Sequence, residues 1–274
     1  MKRPIETITT LLLLTAAALT AAVSRAAVDE DEVVWSPHPT IDYDTATIEG
    51  FRILIDRRFR LDDDARAALV LNELRDDLRR TNSTVPPAAL ESLKASTPIW
   101  IEAANPIRVE GFSGRGMVFH PSAEWLANHG LLPEKAGGVE ICNADDFLEW
   151  REHQPMMTLH ELAHAYHFTV LDRIGESIAG EFEAAKARGE YERVAYLTAN
   201  GESRPAYAMS NDREYFAELS EAYFGRNDFF PFTRRELREF DPAGFAFVDR
   251  VWNLPADRIN NDPPSTDSNR PRRP

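Results

Sequence analysis

The segment TLHELAHAYH, residues 158–167, contains two histidines and a glutamate in the order H-E-x-x-H. It lies within residues 156–171, whose apolar positions favour a helix with one buried side. On such a helix His160 and His164 are one turn apart on the same face, so both imidazoles can bind one cation. Glu161 lies about 100° around the helix, where its carboxylate can flank a metal without binding it. The segment predicts a site for one Zn²⁺ per chain, with His160 and His164 as ligands and Glu161 as general base for a zinc-activated water.

A catalytic zinc of this type needs a third protein ligand from elsewhere in the chain. The strongest candidate lies in residues 211–224, NDREYFAELSEAYF, where Glu214, Glu218 and Glu221 form one stripe of a predicted helix. Three carboxylates at this spacing repel one another unless a cation or an imidazole N–H balances them. We therefore expect Glu214 to bind the metal. We expect Glu218 to accept a hydrogen bond from a ligand histidine and so fix its tautomer.

Two alternatives for the acidic residues stay open at this point. Glu183 follows His164 by 19 residues, which is the spacing of the third ligand in one group of zinc peptidases. Its neighbours, however, are typical of an exposed helix face. The stripe beginning at Glu214 can also be an ordinary solvated acidic face. The aromatic segment NDFFPF, residues 227–232, is expected to pack under the ligand helix, with lining of a substrate pocket as the alternative.

The body of the chain predicts an α+β fold. Short strands are expected in residues 51–59, 98–102, 116–119 and 139–142, mixed with helices, and the half of the chain after Pro155 is almost entirely helical. This order differs from the regular alternation of a doubly wound sheet. We predict one domain over residues 28–253.

The composition excludes several classes of protein. The 274 residues are 43% hydrophobic and 28% charged, which is typical of a folded globular chain. The 31 Lys and Arg are outnumbered by 45 Asp and Glu, and this negative charge disfavours binding to nucleic acid. The single cysteine excludes an internal disulfide framework and a cysteine-based zinc cluster.

The two ends of the chain differ from this body. Residues 1–27 resemble an export signal, because Lys2 and Arg3 precede an apolar run at residues 11–23 and small residues flank Arg25. We therefore expect a secreted or periplasmic protein with no stable membrane insertion after signal cleavage, and retention as an anchor is the alternative. Residues 254–274, rich in Pro, Asp, Asn and Arg, are predicted to be a flexible tail.

Together, HELAHAYH and the segment YAMSNDREYFAE, residues 207–218, resemble the catalytic domain of anthrax lethal factor and its relatives, a branch of the gluzincin metallopeptidases. That family has a tyrosine seven residues before the glutamate of an E-[FY]-F-A-E segment. The resemblance implies His160, His164 and Glu214 as zinc ligands, Glu161 as general base, and Tyr207 as the hydroxyl that stabilises the oxyanion.

The same resemblance implies a zincin-like fold, in which a small mixed sheet places an edge strand over the active-site helix. By analogy, residues 139–142 are expected to be this strand and to pair with an extended peptide, with a plain core strand as an equally open alternative. The implied function is that of a secreted zinc metalloendopeptidase acting on a peptide or protein substrate. A non-catalytic zinc-holding protein on the same fold, or a metallohydrolase of a non-peptide amide or cell-wall link, stays open as an alternative.

Overall fold

A mixed sheet forms one layer of the protein, and helices cover one of its faces. The computed structural model describes residues 36–37, 42–197 and 202–260. Within these residues the sheet has six strands: β1 (Ser36–Pro37), β2 (Tyr43–Ile48), β3 (Phe51–Asp56), β4 (Ile99–Ile101), β5 (Met117–Phe119) and β6 (Val139–Ile141). They follow one another across the sheet in the order β1-β2-β3-β4-β6-β5.

The central strands β3, β4 and β6 are parallel, whereas the outer strands are antiparallel to their neighbours. Ile53 pairs with Ile99, which pairs with Val139, and all three side chains are buried in the apolar core beneath the helices. Because side chains alternate between the faces of a strand, Trp100 and Glu140 lie on the opposite face. The helical layer therefore packs against an apolar surface that is mostly aliphatic, with Phe51 and Phe119 as its aromatic members.

Helices make up most of the remaining described chain. They are α1 (Arg57–Asp62), α2 (Asp64–Thr84), α3 (Pro87–Ser96), α4 (Ala123–Asn128), α5 (Ala144–Trp150), α6 (Met157–Tyr166), α7 (Asp172–Ile174), α8 (Ala179–Arg188), α9 (Asp212–Phe224), α10 (Arg234–Phe240), α11 (Pro242–Trp252) and α12 (Ala256–Asn260). A π-helical turn, His167–Leu171, joins α6 to α7, and a short antiparallel pair, β7 (Val194–Ala195) and β8 (Ser203–Arg204), lies between α8 and α9. The predicted α+β class is confirmed.

The helices α6 and α9 pack against each other. Helix α9 begins after Asn211, whose Oδ1 accepts hydrogen bonds from the backbone N–H groups of Arg213 and Glu214, each at 3.0 Å. Trp252 of α11 supports α9 from another side, because its indole N–H donates to Ser220 Oγ at 3.0 Å. The two helices that carry the H-E-x-x-H segment and the acidic stripe are therefore fixed by packing along most of their length.

The edge strand next to α6 is β5, and the expectation that residues 139–142 form this edge was wrong. Strand β6 has a parallel neighbour, β4, on one side and the antiparallel β5 on the other. All three of its residues are buried. A strand that pairs on both sides and is covered on both faces lies inside a sheet, so in the described part of the chain the last antiparallel strand, β5, provides the free edge.

The described chain continues in ordered structure past the predicted end of the domain at residue 253. Helix α12 follows, and its Ile259 is 1% exposed because it joins the main apolar core. Residues 256–260 thus form a packed helix where the sequence predicted a flexible tail. The proposed export signal, residues 1–27, and the rest of the tail, residues 261–274, lie outside the described residues. Among the helices of the described part, none has the length and apolar character needed to cross a bilayer.

Candidate metal centre

Three nitrogen and oxygen atoms from α6 and α9 meet at one point. His160 Nε2 lies 3.0 Å from Glu214 Oε2 and 3.1 Å from His164 Nε2. His164 Nε2 lies 3.2 Å from the same Glu214 oxygen. The two histidines are neighbours because α6 places positions 160 and 164 one turn apart, and Glu214 reaches them from the first turn of α9. The structure thus brings together the three residues that the sequence predicts as metal ligands.

The spacing of these atoms fits a small tetrahedral cation. Ligand atoms at the usual Zn–N and Zn–O distances of about 2.0–2.1 Å are separated by about 3.3 Å in a tetrahedral site. Two imidazole nitrogens and one carboxylate oxygen are also a donor set that zinc accepts, and they leave a fourth position for another ligand. The residues present therefore fit a catalytic type of zinc site.

The histidines and Glu214 stabilise one another's charged forms even without a cation. Burial disfavours the charged forms, but Glu214 and Glu221 raise the pKa of His160 well above its usual value. Burial likewise opposes ionisation of Glu214, yet hydrogen bonds with both histidines lower the pKa of its carboxyl far below the usual range. The carboxylate of Glu214 is therefore ionised at neutral pH and available as a ligand.

The orientation of His160 is set by Glu221, and the prediction that Glu218 has this role was wrong. His160 Nδ1 lies 2.7 Å from Glu221 Oε1, which also accepts a hydrogen bond from Gln154 Nε2 at 3.1 Å. Glu218 Oε2 instead accepts from Asn227 Nδ2 at 3.1 Å. With the Nδ1–H donated to Glu221, Nε2 is the ring nitrogen that faces Glu214 and His164 and is left to bind a metal.

We predict that Glu221→Gln weakens zinc binding by about 10- to 100-fold, because the imidazole loses its charged hydrogen-bond acceptor. Competition against a chromogenic chelator measures this affinity. The matched variant is Glu218→Gln, which changes a buried glutamate of the same helix that does not bond the imidazole. A larger loss for Glu218→Gln than for Glu221→Gln would contradict the assignment.

Glu161 lies beside the three ligand atoms and is held by the sheet. Its Oε2 accepts a hydrogen bond of 2.7 Å from the backbone N–H of Phe119, the last residue of β5. The residue is only 9% exposed, and burial raises the pKa of its carboxyl, partly offset by His160 and His164. A carboxylate with a raised pKa is a stronger base, which is the property that a proton-accepting group needs.

Two further site residues were considered from the sequence, Tyr207 and Glu183. Tyr207 lies near the predicted metal ligands, whereas Glu183 is not grouped with them. Tyr207 begins a 3₁₀ turn, Tyr207–Met209, just before α9, and its ring centroid lies 6.3 Å from that of His160. It is 48% exposed, and burial together with Glu214 raises the pKa of its hydroxyl to about 12, so the group stays a hydrogen-bond donor. Glu183 lies exposed on α8. The described residues contain two clusters of potential metal ligands, one of His160, His164 and Glu214 and one of His160, Glu218 and Glu221, and Glu183 belongs to neither.

A cleft of about 640 Å³ opens over the three ligand atoms. The edge strand β5 forms one wall, and α9 with its preceding turn forms another. Further walls come from Trp150 of α5 and from Asp228 and Phe229, which follow α9. The sequence offered two interpretations of residues 227–232. Phe229 is buried in the core and also lines this cleft, so the segment both packs in the core and forms part of the cleft wall.

Two buried acidic residues near the ligands have raised pKa values, and one of them, Asp228, has no role of its own in the sequence-based interpretation. Glu218 is buried, and burial together with Glu221 and Asp228 raises the pKa of its carboxyl well above the usual value. Burial and Glu221 likewise raise the pKa of Asp228 to about 7. Asp228 is preceded by Asn227 and followed by aromatic residues, and no periodic pattern signals its position. Only the packing of its loop against α9 brings it to the cleft.

Comparisons with known proteins find one weak structural likeness for this chain. No protein-family model matches the sequence, and no curated protein matches it significantly. Among solved structures, the Pro-Pro endopeptidase from Paenibacillus alvei is similar with a TM-score of 0.40 and 14% sequence identity. The similarity covers 73% of this chain and 96% of that one. At this level the likeness carries no argument about function.

Proposed function

We propose that this protein is a zinc-dependent metallopeptidase with a zincin-like fold, exported from the cytoplasm, that hydrolyses a peptide bond in the cleft above α6. The observation that carries the proposal is the meeting of His160 Nε2, His164 Nε2 and Glu214 Oε2 within 3.2 Å of one another, with the Glu161 carboxylate beside them. A group of three ligands with one adjacent base is what metal-assisted hydrolysis requires.

Zinc held by these three residues supplies a Lewis acid that polarises a carbonyl group and makes water more acidic. The protein's own residues manage the protons. The Phe119 N–H occupies Oε2 of Glu161, which leaves Oε1 as the oxygen that takes a proton from the attacking water. The same oxygen then returns this proton to the leaving amine, and the Tyr207 hydroxyl donates a hydrogen bond to the oxygen anion that forms at the scissile carbonyl.

The edge strand offers a surface on which an extended peptide can lie. Gly116 O accepts from Cys142 N at 2.9 Å, and His120 N donates to Gly138 O at 3.0 Å, so residues 116 and 120 face β6. Backbone groups alternate in direction along a strand, so those of Met117 and Phe119 face the free edge. A peptide that adds to this edge would run past the Glu161 carboxylate.

The proposal is tested by removing and restoring the metal. We expect the purified protein to cleave members of a broad peptide library, to lose this activity with a chelator, and to regain it with one equivalent of Zn²⁺. Mass spectrometry of the products reads the cleaved bonds, and denatured protein and peptidoglycan fragments serve as parallel substrates. Zinc binding without turnover of any substrate would instead support the non-catalytic alternative, and cleavage of the peptidoglycan fragments alone would support a different hydrolase.

We predict that Tyr207→Phe lowers kcat by about 10²- to 10³-fold, the usual effect of removing one donor to an oxyanion. Zinc content and KM should change little, because the hydroxyl is neither a ligand nor part of the strand edge. Tyr223→Phe is the matched control, since its hydroxyl bonds Asp249 outside the cleft. A Tyr207→Phe enzyme with the kcat of the wild type would remove this residue from the mechanism.

A further inference from the structure

Asp228 is an acidic side chain in the wall of the cleft whose charge is left largely uncompensated by the protein. It is 7% exposed and lines the cleft above the ligand atoms. Its buried Oδ1 has no hydrogen-bond partner within the described residues. Because the described residues leave this carboxylate short of partners and the residue lines the cleft, a positively charged group of a ligand would compensate its charge.

The backbone around Asp228 holds the side chain in place. Its N–H donates to Asn227 Oδ1 at 2.9 Å, and its carbonyl accepts from the N–H of Leu197 at 2.8 Å. The neighbouring Phe229 forms a β-bridge with Tyr196. A carboxylate on a segment anchored at three points is preorganised, so little freedom is lost when it binds a partner.

The charges facing Asp228 favour a cation. Glu218 and Glu221 of α9 interact unfavourably with it, and His160 provides partial compensation. Arg204 of β8 also acts on it, but its guanidinium lies over the rings of Tyr196 and Phe229, at 3.4 and 4.8 Å, and no ion pair joins it to Asp228 in the described part of the chain. The acidic groups here outnumber the cations, so a further positive charge would be stabilised.

We propose that Asp228 forms a subsite that binds a basic side chain, lysine or arginine, next to the scissile bond of the peptide substrate. This proposal rests on the proposed peptidase function. The acid provides a charged hydrogen-bond acceptor, while the ring of Phe229 provides an apolar wall for the methylene groups of the basic residue. A site built to pair a charge rejects the neutral analogue, because its own buried group would then be left unpaired.

The experiment compares peptides that differ only in charge. Library profiling of the wild-type enzyme first locates the position at which a basic residue is preferred, and one cleaved sequence is then made with arginine or citrulline there. We expect the arginine peptide to give a kcat/KM about 10- to 100-fold higher than the citrulline peptide, because a hydrogen bond between charged groups contributes a free energy of this size. Asp228→Asn should reduce this ratio to near one, and Asp228→Glu should retain part of it.

The matched control is Asp212→Asn, which removes the same charge from another residue of the cleft wall and should keep the preference for arginine. A ratio unchanged by Asp228→Asn, or wild-type profiling with no basic preference, would overturn the subsite. Binding of the arginine and citrulline peptides to the Glu161→Gln protein, measured by fluorescence anisotropy, gives a second readout that needs no turnover. If no peptide is cleaved, the proposed function fails, and the subsite is then tested by binding alone, with arginine and citrulline versions of a library peptide that the protein binds. A preference for arginine that depends on Asp228 would still support the subsite.

Discussion

Glu161→Gln is expected to lower kcat for peptide hydrolysis by about 10²- to 10⁴-fold, the contribution usually made by a general base. The amide cannot take a proton, yet its oxygen can still accept the hydrogen bond that Phe119 N–H gives to the native carboxylate. Because the side chain is buried and a neutral amide is less costly to desolvate, we expect the folded state to be no less stable. Steady-state kinetics, zinc analysis and thermal unfolding measure the three quantities.

The combination of results distinguishes catalysis from metal binding. Zinc content should stay at one per chain in Glu161→Gln, since His160, His164 and Glu214 are unchanged. Glu183→Gln on α8 is the control for a change of glutamate to glutamine, because this residue is exposed and outside the cleft lining. A Glu161→Gln enzyme that retains full activity would refute the assignment of the base and with it the hydrolytic mechanism.

Glu214→Ala is expected to abolish activity by removing the third metal ligand. Loss of a group that only orients a ligand lowers metal affinity about 10- to 100-fold, so loss of the ligand itself should lower it by more than about 100-fold. The variant also leaves His160 Nε2 and His164 Nε2, 3.1 Å apart, without the carboxylate that both face. We expect zinc to fall well below one per chain after dialysis, measured by elemental analysis.

The comparison with Glu183→Ala decides between the two carboxylates that the sequence offered as third ligands. The exposed Glu183 should leave zinc stoichiometry and affinity as in the wild type. Circular dichroism of both variants shows whether the helices persist, so that a loss of zinc is not a loss of fold. Full zinc retention in Glu214→Ala with loss in Glu183→Ala would reverse the assignment.

Local patterns in the sequence were sufficient for the helices that carry the site. The H-E-x-x-H spacing places His160 and His164 on one face of a helix whatever the rest of the chain does, because 3.6 residues form a turn. Asn211 likewise signals the start of α9 through its own side chain, which bonds the N–H groups two and three residues on. Interactions within one turn depend on adjacent residues alone, which is why they could be predicted.

Local sequence patterns were insufficient to predict contacts that depend on how two helices or two strands pack together. Measured from Glu214, position 218 lies about 40° off line around the helix and position 221 about 20° off line in the other direction. The sequence makes both plausible partners of a histidine, and only the approach of α6 to α9 puts Glu221 on His160 Nδ1. The same holds for the free edge of the sheet, since strand neighbours are chosen by tertiary pairing.

The sequence by itself determined the α+β class, the placement of His160 and His164 on one helix face with Glu161 beside them, and an acidic helix that can reach both histidines. Tertiary structure alone decided that Glu214 rather than Glu183 meets the histidines, that β5 supplies Phe119 N–H to Glu161, and that Asp228 reaches the cleft. The physical reason is the sequence separation over which each interaction acts. Helical periodicity and capping act over a few residues, whereas these contacts join atoms from segments far apart in the chain, which only burial of a common core brings together.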